Sequence, residues 1–261
     1  WQRVQMARHP LRPYATDYIQ GITSWWFELH GDRRFADDKA VVGGLARMDG
    51  EQLVFIGQQK GRGTRDNLFR NFGMPNPEGY RKAMRLMELA AKFKRPVVSL
   101  IDTPGAYPGI GAEERGQAQA IAQNLMLMST IPVPVIVIVI GEGASGGALG
   151  MGVGDRLLML ENTWFSVISP EGCASILYRD AAKAEEAADA MRVTPQDLVE
   201  LGICDRILPE PVGGAHRDVD AVTATMKSAI LETLAELQTM GPEELVAARI
   251  KRYDQLGQWQ E

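Results

Sequence analysis

Hydrophobic and polar positions divide the chain into stretches of different period. Ala40 to Met48 and Gln52 to Gln59 flank Asp49-Gly50, a dipeptide suited to a two-residue hairpin turn because both central positions take positive φ. A β-hairpin is predicted there. From Pro77 to Phe93 the period changes, with Tyr80, Ala83, Met84, Met87, Ala90 and Ala91 on one helical stripe and the Lys/Arg residues on the other. This predicts a half-buried helix with a basic outer face. Beyond Arg95 a short continuous apolar run ending in a glycine-bearing loop occurs three times. The runs are Pro96 to Ile101, Val133 to Ile140, and Arg156 to Leu160 with its continuation Trp164-Phe165-Ser166-Val167. Continuous rather than alternating apolarity marks strands buried on both faces, as parallel strands covered by helices are.

Glu113 to Met128 supplies a crossover helix between the first two runs, and Asp180 to Met191, Pro195 to Leu201 and Asp218 to Leu237 also carry a helical pattern. Gly241-Pro242 opens a last helix. The sum is one α/β domain with helical ends and no linker. The longest apolar stretch, Ile131 to Ile140, is far short of the roughly 20 residues a membrane-spanning helix needs. Trp1 rather than Met opens the chain and no secretory progression follows it, so a lost natural start and no signal peptide are expected.

Composition changes the picture little: 45% hydrophobic and 23% charged residues over 261 positions are those of a globular protein, and disordered or fibrous classes drop out. The net charge of −5 gives no general attraction to nucleic acid or anionic lipid. Its distribution is uneven, however. Residues 60 to 95 hold ten Lys/Arg against Asp66, Glu78 and Glu88, so this region could meet an anion or an acidic partner, or be a solvated face. Aromatic interleaving is confined to Phe69, Phe72 and Tyr80, so nucleic acid is not expected. Cys173 and Cys204 are the two cysteines, with no C-x-x-C pair and no neighbouring histidine, so neither a zinc site nor a disulfide framework is expected.

The chemistry concentrates in Gly141-Glu142-Gly143-Ala144-Ser145-Gly146-Gly147-Ala148-Leu149, directly after a buried run and opening a helix. Glycines admit close approach to the backbone, and the free N–H groups of a first helical turn are donors for negative charge. The bland alternative is a tight turn whose glycines only permit packing. Three templates apply. Gly141, Gly143 and Gly146 satisfy G-x-G-x-x-G with Glu161 about 20 residues on, but too few residues precede the next run for a dinucleotide crossover helix. Gly143, Ser145 and Gly147 satisfy G-x-S-x-G, making Ser145 a candidate nucleophile with His216 in the correct chain order for a hydrolase. The third template is an oxyanion hole of backbone N–H groups, which suits a chain with three histidines. A second loop, Asp102-Thr103-Pro104-Gly105-Ala106-Tyr107-Pro108-Gly109, ends the neighbouring run and would face the same cleft.

Both glycine loops, together with Arg3-Val4-Gln5, Ala7-Arg8-His9-Pro10, Arg81-Lys82-Ala83, Lys92-Phe93 and Ser166-Val167-Ile168-Ser169-Pro170-Glu171-Gly172-Cys173-Ala174, resemble the carboxyltransferase α subunit of multisubunit acetyl-CoA carboxylase. The likeness runs through nearly the whole chain in order. It implies a crotonase-like α/β fold of repeated β-β-α units as one domain over 1–261, with a truncated helical N-terminal segment at 1–30 and a helical C-terminal region at about 218–256. It also implies transfer of a carboxyl group from carboxybiotin, on a biotin carboxyl carrier protein, to acetyl-CoA, giving malonyl-CoA for fatty acid synthesis in an ATP-dependent complex. A β subunit carrying the zinc, an α2β2 heterotetramer and a biotin carboxylase are the implied partners, in a bacterial cytoplasm or a chloroplast stroma.

Carried onto this sequence, the resemblance makes Gly146, Gly147, Gly105 and Ala106 the catalytic backbone donors. Gly143, Ala144, Ala148, Tyr107, Lys60 and Arg81 become binding residues for biotin or CoA. Relatives commonly have glycine where Ala144 stands and histidine where Gln58 stands, positions at which oxyanion binding needs no side chain. The family chemistry also needs no protein base, and Glu142 is assigned no such role. Gly147→Val is expected to lower kcat with assembly intact. Should the chain be only a scaffold, Arg81, Lys82 and Arg85 would be its docking face.

Overall fold

Residues 1–257 are described by a computed structural model; residues 258–261 of the expected domain lie outside it. Eight strands form one mixed sheet: β1 (Trp25–Glu28), β2 (Val41–Met48), β3 (Glu51–Gln58), β4 (Val97–Thr103), β5 (Val135–Ala144), β6 (Arg156–Leu160), β7 (Trp164–Ser166) and β8 (Arg206–Leu208). Their order is β1-β2-β3-β4-β5-β6-β8, with β7 added to the carboxyl end of β5. The first three strands are antiparallel and the others run parallel from β3 onward. Met48 pairs with Glu51 across the predicted turn, where Asp49 and Gly50 take φ 47° and 91°.

The three apolar runs are β4, β5 and β6, and the reason for their continuity is visible in two cores. Val98, Leu100, Ile136, Ile138 and Leu158 face the helices Ala15–Ile22 and Val219–Leu237. Val97, Val135, Val137, Val139 and Met159 face the helices Pro77–Lys92 and Gln117–Thr130. Each strand therefore buries alternate side chains on opposite faces. The last helix, Pro242–Asp254, is fixed by fully buried Arg249, which donates to both Asp155 oxygens at 2.8 Å and to the carbonyls of Met128, Ile131 and Val133.

Three expectations are corrected. The N-terminal segment is helical only at Gln2–Ala7 and Ala15–Ile22; Trp25–Glu28 is an edge strand, as its aromatic run favours. Trp26 packs on the core while Trp25 and Phe27 remain half exposed. The crossover helix is two helices, Ile110–Glu114 and Gln117–Thr130, separated at Gly116, whose φ of 83° interrupts helical geometry. The basic side of Pro77–Lys92 is no outer face, because the segment 30–39 covers it. Arg81 pairs with Asp32 at 2.8 Å and Glu78 at 3.1 Å, and fully buried Lys82 reaches Asp37 and the Asp38 carbonyl at 2.7 Å.

Candidate active site

β3, β4 and β5 lie side by side, so their carboxyl ends deliver Gln58, Asp102 and Glu142 to one place with both glycine loops beyond them. Between Val139 and Gly143, β5 carries two residues more than β4 does between Ile101 and Thr103. This bulge re-aims the strand end and sets the Glu142 N–H on Asp102 Oδ1 at 3.0 Å. The chain then turns sharply at Ser145, whose φ of 58° lies in the left-handed region, into the short helix Ser145–Leu149.

The two loops touch. A Cβ built on Gly147 would stand 2.3 Å from Ala106 N and 2.4 Å from the Gly105 carbonyl carbon, so the backbones pack where only glycine fits. Gly105 takes φ 147°, again glycine's region. Gly146 is the opposite case: it is exposed, and a Cβ there meets nothing within 4 Å. The first-turn N–H groups at Gly146 and Gly147 have no intrahelical acceptor. Beside them opens a cleft of about 490 Å³ with walls from Leu149, Phe165, Val167, Ile168, Leu198 and Ile203. A second cleft of about 440 Å³, between Trp25 and Phe93, contains neither loop.

Behind the loops runs a chain of alternating charges. Lys60 Nζ lies 2.7 Å from Asp102 Oδ1 and 2.7 Å from Glu142 Oε2. Arg8 bonds the other Glu142 oxygen and reaches Glu171, its guanidinium lying 5.7 Å from the Trp164 ring centroid. Burial alone would lower the Lys60 pKa, but its two carboxylates outweigh that and hold it above the ordinary lysine range. For Glu142 burial is likewise opposed and overcome, by Lys60 and Arg8, so its carboxyl sits below the usual range. Asp102 goes the other way, since its burial exceeds what Lys60 returns. A carboxylate held ionised between two cations is a weak base.

Of the catalytic residues proposed from sequence, Gly147, Gly105 and Ala106 are in contact and Gly146 stands open above them. Gly147→Val would drive a side chain into backbone, so it cannot leave the loops in place as the sequence suggested. The binding residues fare unevenly. Gly143 lies under Phe165, which a Cβ would meet at 2.3 Å, and Ala144 and Ala148 are buried. Tyr107 is partly exposed, its ring over Gly109. Lys60 and Arg81 are tied up in internal ion pairs and do not present their charges to biotin or CoA as the sequence suggested; buried Arg81 and Lys82 likewise contradict a docking face. His216 stacks on His9 at 3.8 Å between centroids, and Ser145 has no hydrogen-bonded histidine or carboxylate among the described residues, so the hydrolase constellation is not assembled.

Sequence reasoning missed Gln58, Tyr80, Arg8 and Glu171 as site residues. Gln58 Nε2 and Tyr80 Oη both donate to the Gly147 carbonyl, at 2.7 and 2.9 Å. The available signal was an amide closing the apolar run of β3 and a phenol on the apolar stripe of the helix Pro77–Lys92. Among the described residues no cluster of metal-ligating side chains occurs, and no helix is long and apolar enough to cross a membrane.

Comparison with known proteins gives one answer. Residues 1–257 match the family model described as acetyl co-enzyme A carboxylase carboxyltransferase-like. The acetyl-coenzyme A carboxylase carboxyl transferase subunit alpha of Pelodictyon phaeoclathratiforme is 57% identical, over all of this chain and 80% of that relative. The protein of the same name from Thiobacillus denitrificans is 56% identical over all of this chain and 81% of its own. Among solved structures, a Pseudomonas malonate decarboxylase hetero-tetramer in complex with coenzyme A aligns at TM-score 0.70 and 19% identity, over 91% of this chain and 94% of that one. A transcarboxylase 12S structure aligns at TM-score 0.69 and 20% identity, over 98% of this chain and 46% of that chain. At such identities the likeness shows the fold alone, a crotonase-like one.

Proposed function

The chain belongs to the family of acetyl-CoA carboxylase carboxyltransferase α subunits, and from that premise we propose that its two touching glycine loops form the oxyanion site of the reaction. That reaction transfers the carboxyl group of carboxybiotin, held on a carrier protein, to acetyl-CoA and yields malonyl-CoA.

The contact between Gly147 and Gly105-Ala106, beneath an open Gly146, carries the proposal. It leaves a glycine surface with nothing above Gly146 and an apolar cleft alongside, which suits a flat ureido ring with an aliphatic tail. When bound as its N-carboxylated form, biotin supplies the activated carboxyl group. Gly146 and Gly147 N–H, with Ala106 N–H from the facing loop, hold oxygen as it gains negative charge; donors fixed in a dry site are each worth about 3 kcal/mol or more. Leu149, Phe165 and Ile168 line the apolar cleft beside the donors, where a bound ligand displaces water from them. Glu142, ion-paired on both oxygens, holds its strand end in place and carries no proton.

We take residues 1–261 as one carboxyltransferase domain. Its partners are a β subunit in an α2β2 assembly, which contributes zinc and most of the CoA site, the carrier protein and biotin carboxylase. The compartment is a bacterial cytoplasm or a plastid stroma. Malonyl-CoA-dependent carboxylation of biotin should appear only when the β-type partner is added. Ser145→Ala should then keep most of the activity, and a fluorophosphonate probe should not label the chain. Full turnover by the isolated chain, or stoichiometric labelling of Ser145, would overturn the assignment.

A further inference from the structure

Resting on that oxyanion assignment, we infer that Gln58 is a positioning residue, a cross-brace that sets the spacing and direction of the two glycine loops. Its side chain is fully buried at the end of β3 and touches both loops' supports. Oε1 accepts from the Asp102 N–H at 3.1 Å, three residues before Gly105. Nε2 donates to the Gly147 carbonyl at 2.7 Å. One partner can only donate and the other can only accept, so both ends of the amide are used and its orientation is fixed.

The need for such a brace follows from the glycines. Gly146 and Gly147 have no Cβ to restrict φ and ψ, so the freedom that lets a ligand approach also lets the donors wander. Of the Gly147 peptide groups, the one towards Gly146 is held by Gly150 N–H on the Gly146 carbonyl at 2.9 Å. The one towards Ala148 is held by Gln58 and Tyr80 on the Gly147 carbonyl. The Gly147 N–H lies in the first of these planes, so Gly150 holds its direction, while Gln58 and Tyr80 hold the second plane and with it the Gly147 Cα on which the donor is carried. The same Gln58 side chain holds β4 through Asp102, so one residue links the supports of the two loops that carry the Ala106 and Gly147 N–H groups. The side chain at position 58 is thus not irrelevant to oxyanion binding. A neutral imidazole offers one acceptor and one donor nitrogen and can make the same bridge, whereas methionine fills the space and makes neither bond.

The test compares Gln58→Met and Gln58→His in the chain assembled with its β-type partner. For Gln58→Met, kcat should fall about 10- to 100-fold, the effect of donors misplaced by a fraction of an ångström to 1 Å, with KM for malonyl-CoA within about twofold. Deuterium uptake by the unliganded chain should rise at residues 144–149. Gln58→His should recover most of the turnover at neutral and higher pH and lose it in an acid limb absent from the wild type, because imidazolium cannot accept from Asp102 N–H. The titratable groups around it are Tyr80, which shares its acceptor, and Asp102 with the Lys60 and Glu142 it contacts. Wild-type kcat in Gln58→Met, or a Gln58→His profile without the added limb, would overturn the inference. Equal rises in exchange across the whole sheet would also overturn it, as they denote a merely structural role. Should Gln58→Met fail to fold, the histidine profile decides alone. Gly146→Val leaves Gln58 untouched and tests the oxyanion assignment separately: loss there with none in Gln58→Met removes only the brace.

Discussion

Lys60 holds together two carboxylates that would otherwise repel, since Asp102 and Glu142 each approach its ammonium at 2.7 Å in a largely buried setting. Removing one partner of a buried charge cluster strands the rest, at about 3–5 kcal/mol. Lys60→Met should therefore lower the unfolding free energy by about that much at pH 7. The sign with pH follows from the carboxylates. Glu142 has its pKa lowered in the folded chain, so its stabilisation is present above the ordinary glutamate value of 4.5 and is lost as pH falls through the lowered one. Asp102, with its pKa raised by burial, changes in the opposite sense. Without Lys60 both would be raised, so acid should favour the variant relative to wild type. Urea unfolding at pH 7 and pH 5 is expected to show a deficit that shrinks on acidification; a deficit independent of pH would refute the role given to Lys60. At this scale little was legible in the sequence. A count over residues 60–95 finds excess positive charge because the partners of Lys60, Arg81 and Lys82 lie elsewhere, Asp32 and Asp37 before the window and Asp102 and Glu142 after it.

Strands β4, β5 and β6 and the loop after β5 were readable because their cause is local: apolar side chains on two buried faces, then glycines where the chain turns. β1 escaped because four aromatic-rich residues at an edge have no alternation to detect, and the long crossover helix was over-extended because Gly116 breaks it by conformation, not by composition. Glycine motifs pointed to the candidate site but not to what each glycine does. Gly146 and Gly147 are identical letters, yet one faces open space and the other a backbone at 2.3 Å. Their alanine variants should separate accordingly in thermal unfolding. Gly146→Ala should match the wild type or exceed it by up to about 1 kcal/mol, whereas Gly147→Ala should lose about 1–3 kcal/mol or more from overpacking. Equal stabilities would show that the loops do not pack as described.

Across the whole molecule, the parallel part of a mixed sheet covered on both faces brings three strand ends, two glycine loops and one apolar cleft to the same edge. No single motif identified the reaction, and composition was silent about it; the order of several motifs through nearly the whole chain carried the assignment, which the family match then established. Exposed apolar residues such as Val167 and Ile176 were not legible, because they follow no period along the chain. The proposed catalysis rests on backbone donors at an open glycine. Gly146→Val tests it most directly, because the added side chain has room in the fold and lies over the donors. In the assembled complex kcat should fall about 10²-fold or more, with thermal stability and sedimentation unchanged. Wild-type turnover by a correctly assembled Gly146→Val complex would contradict the account.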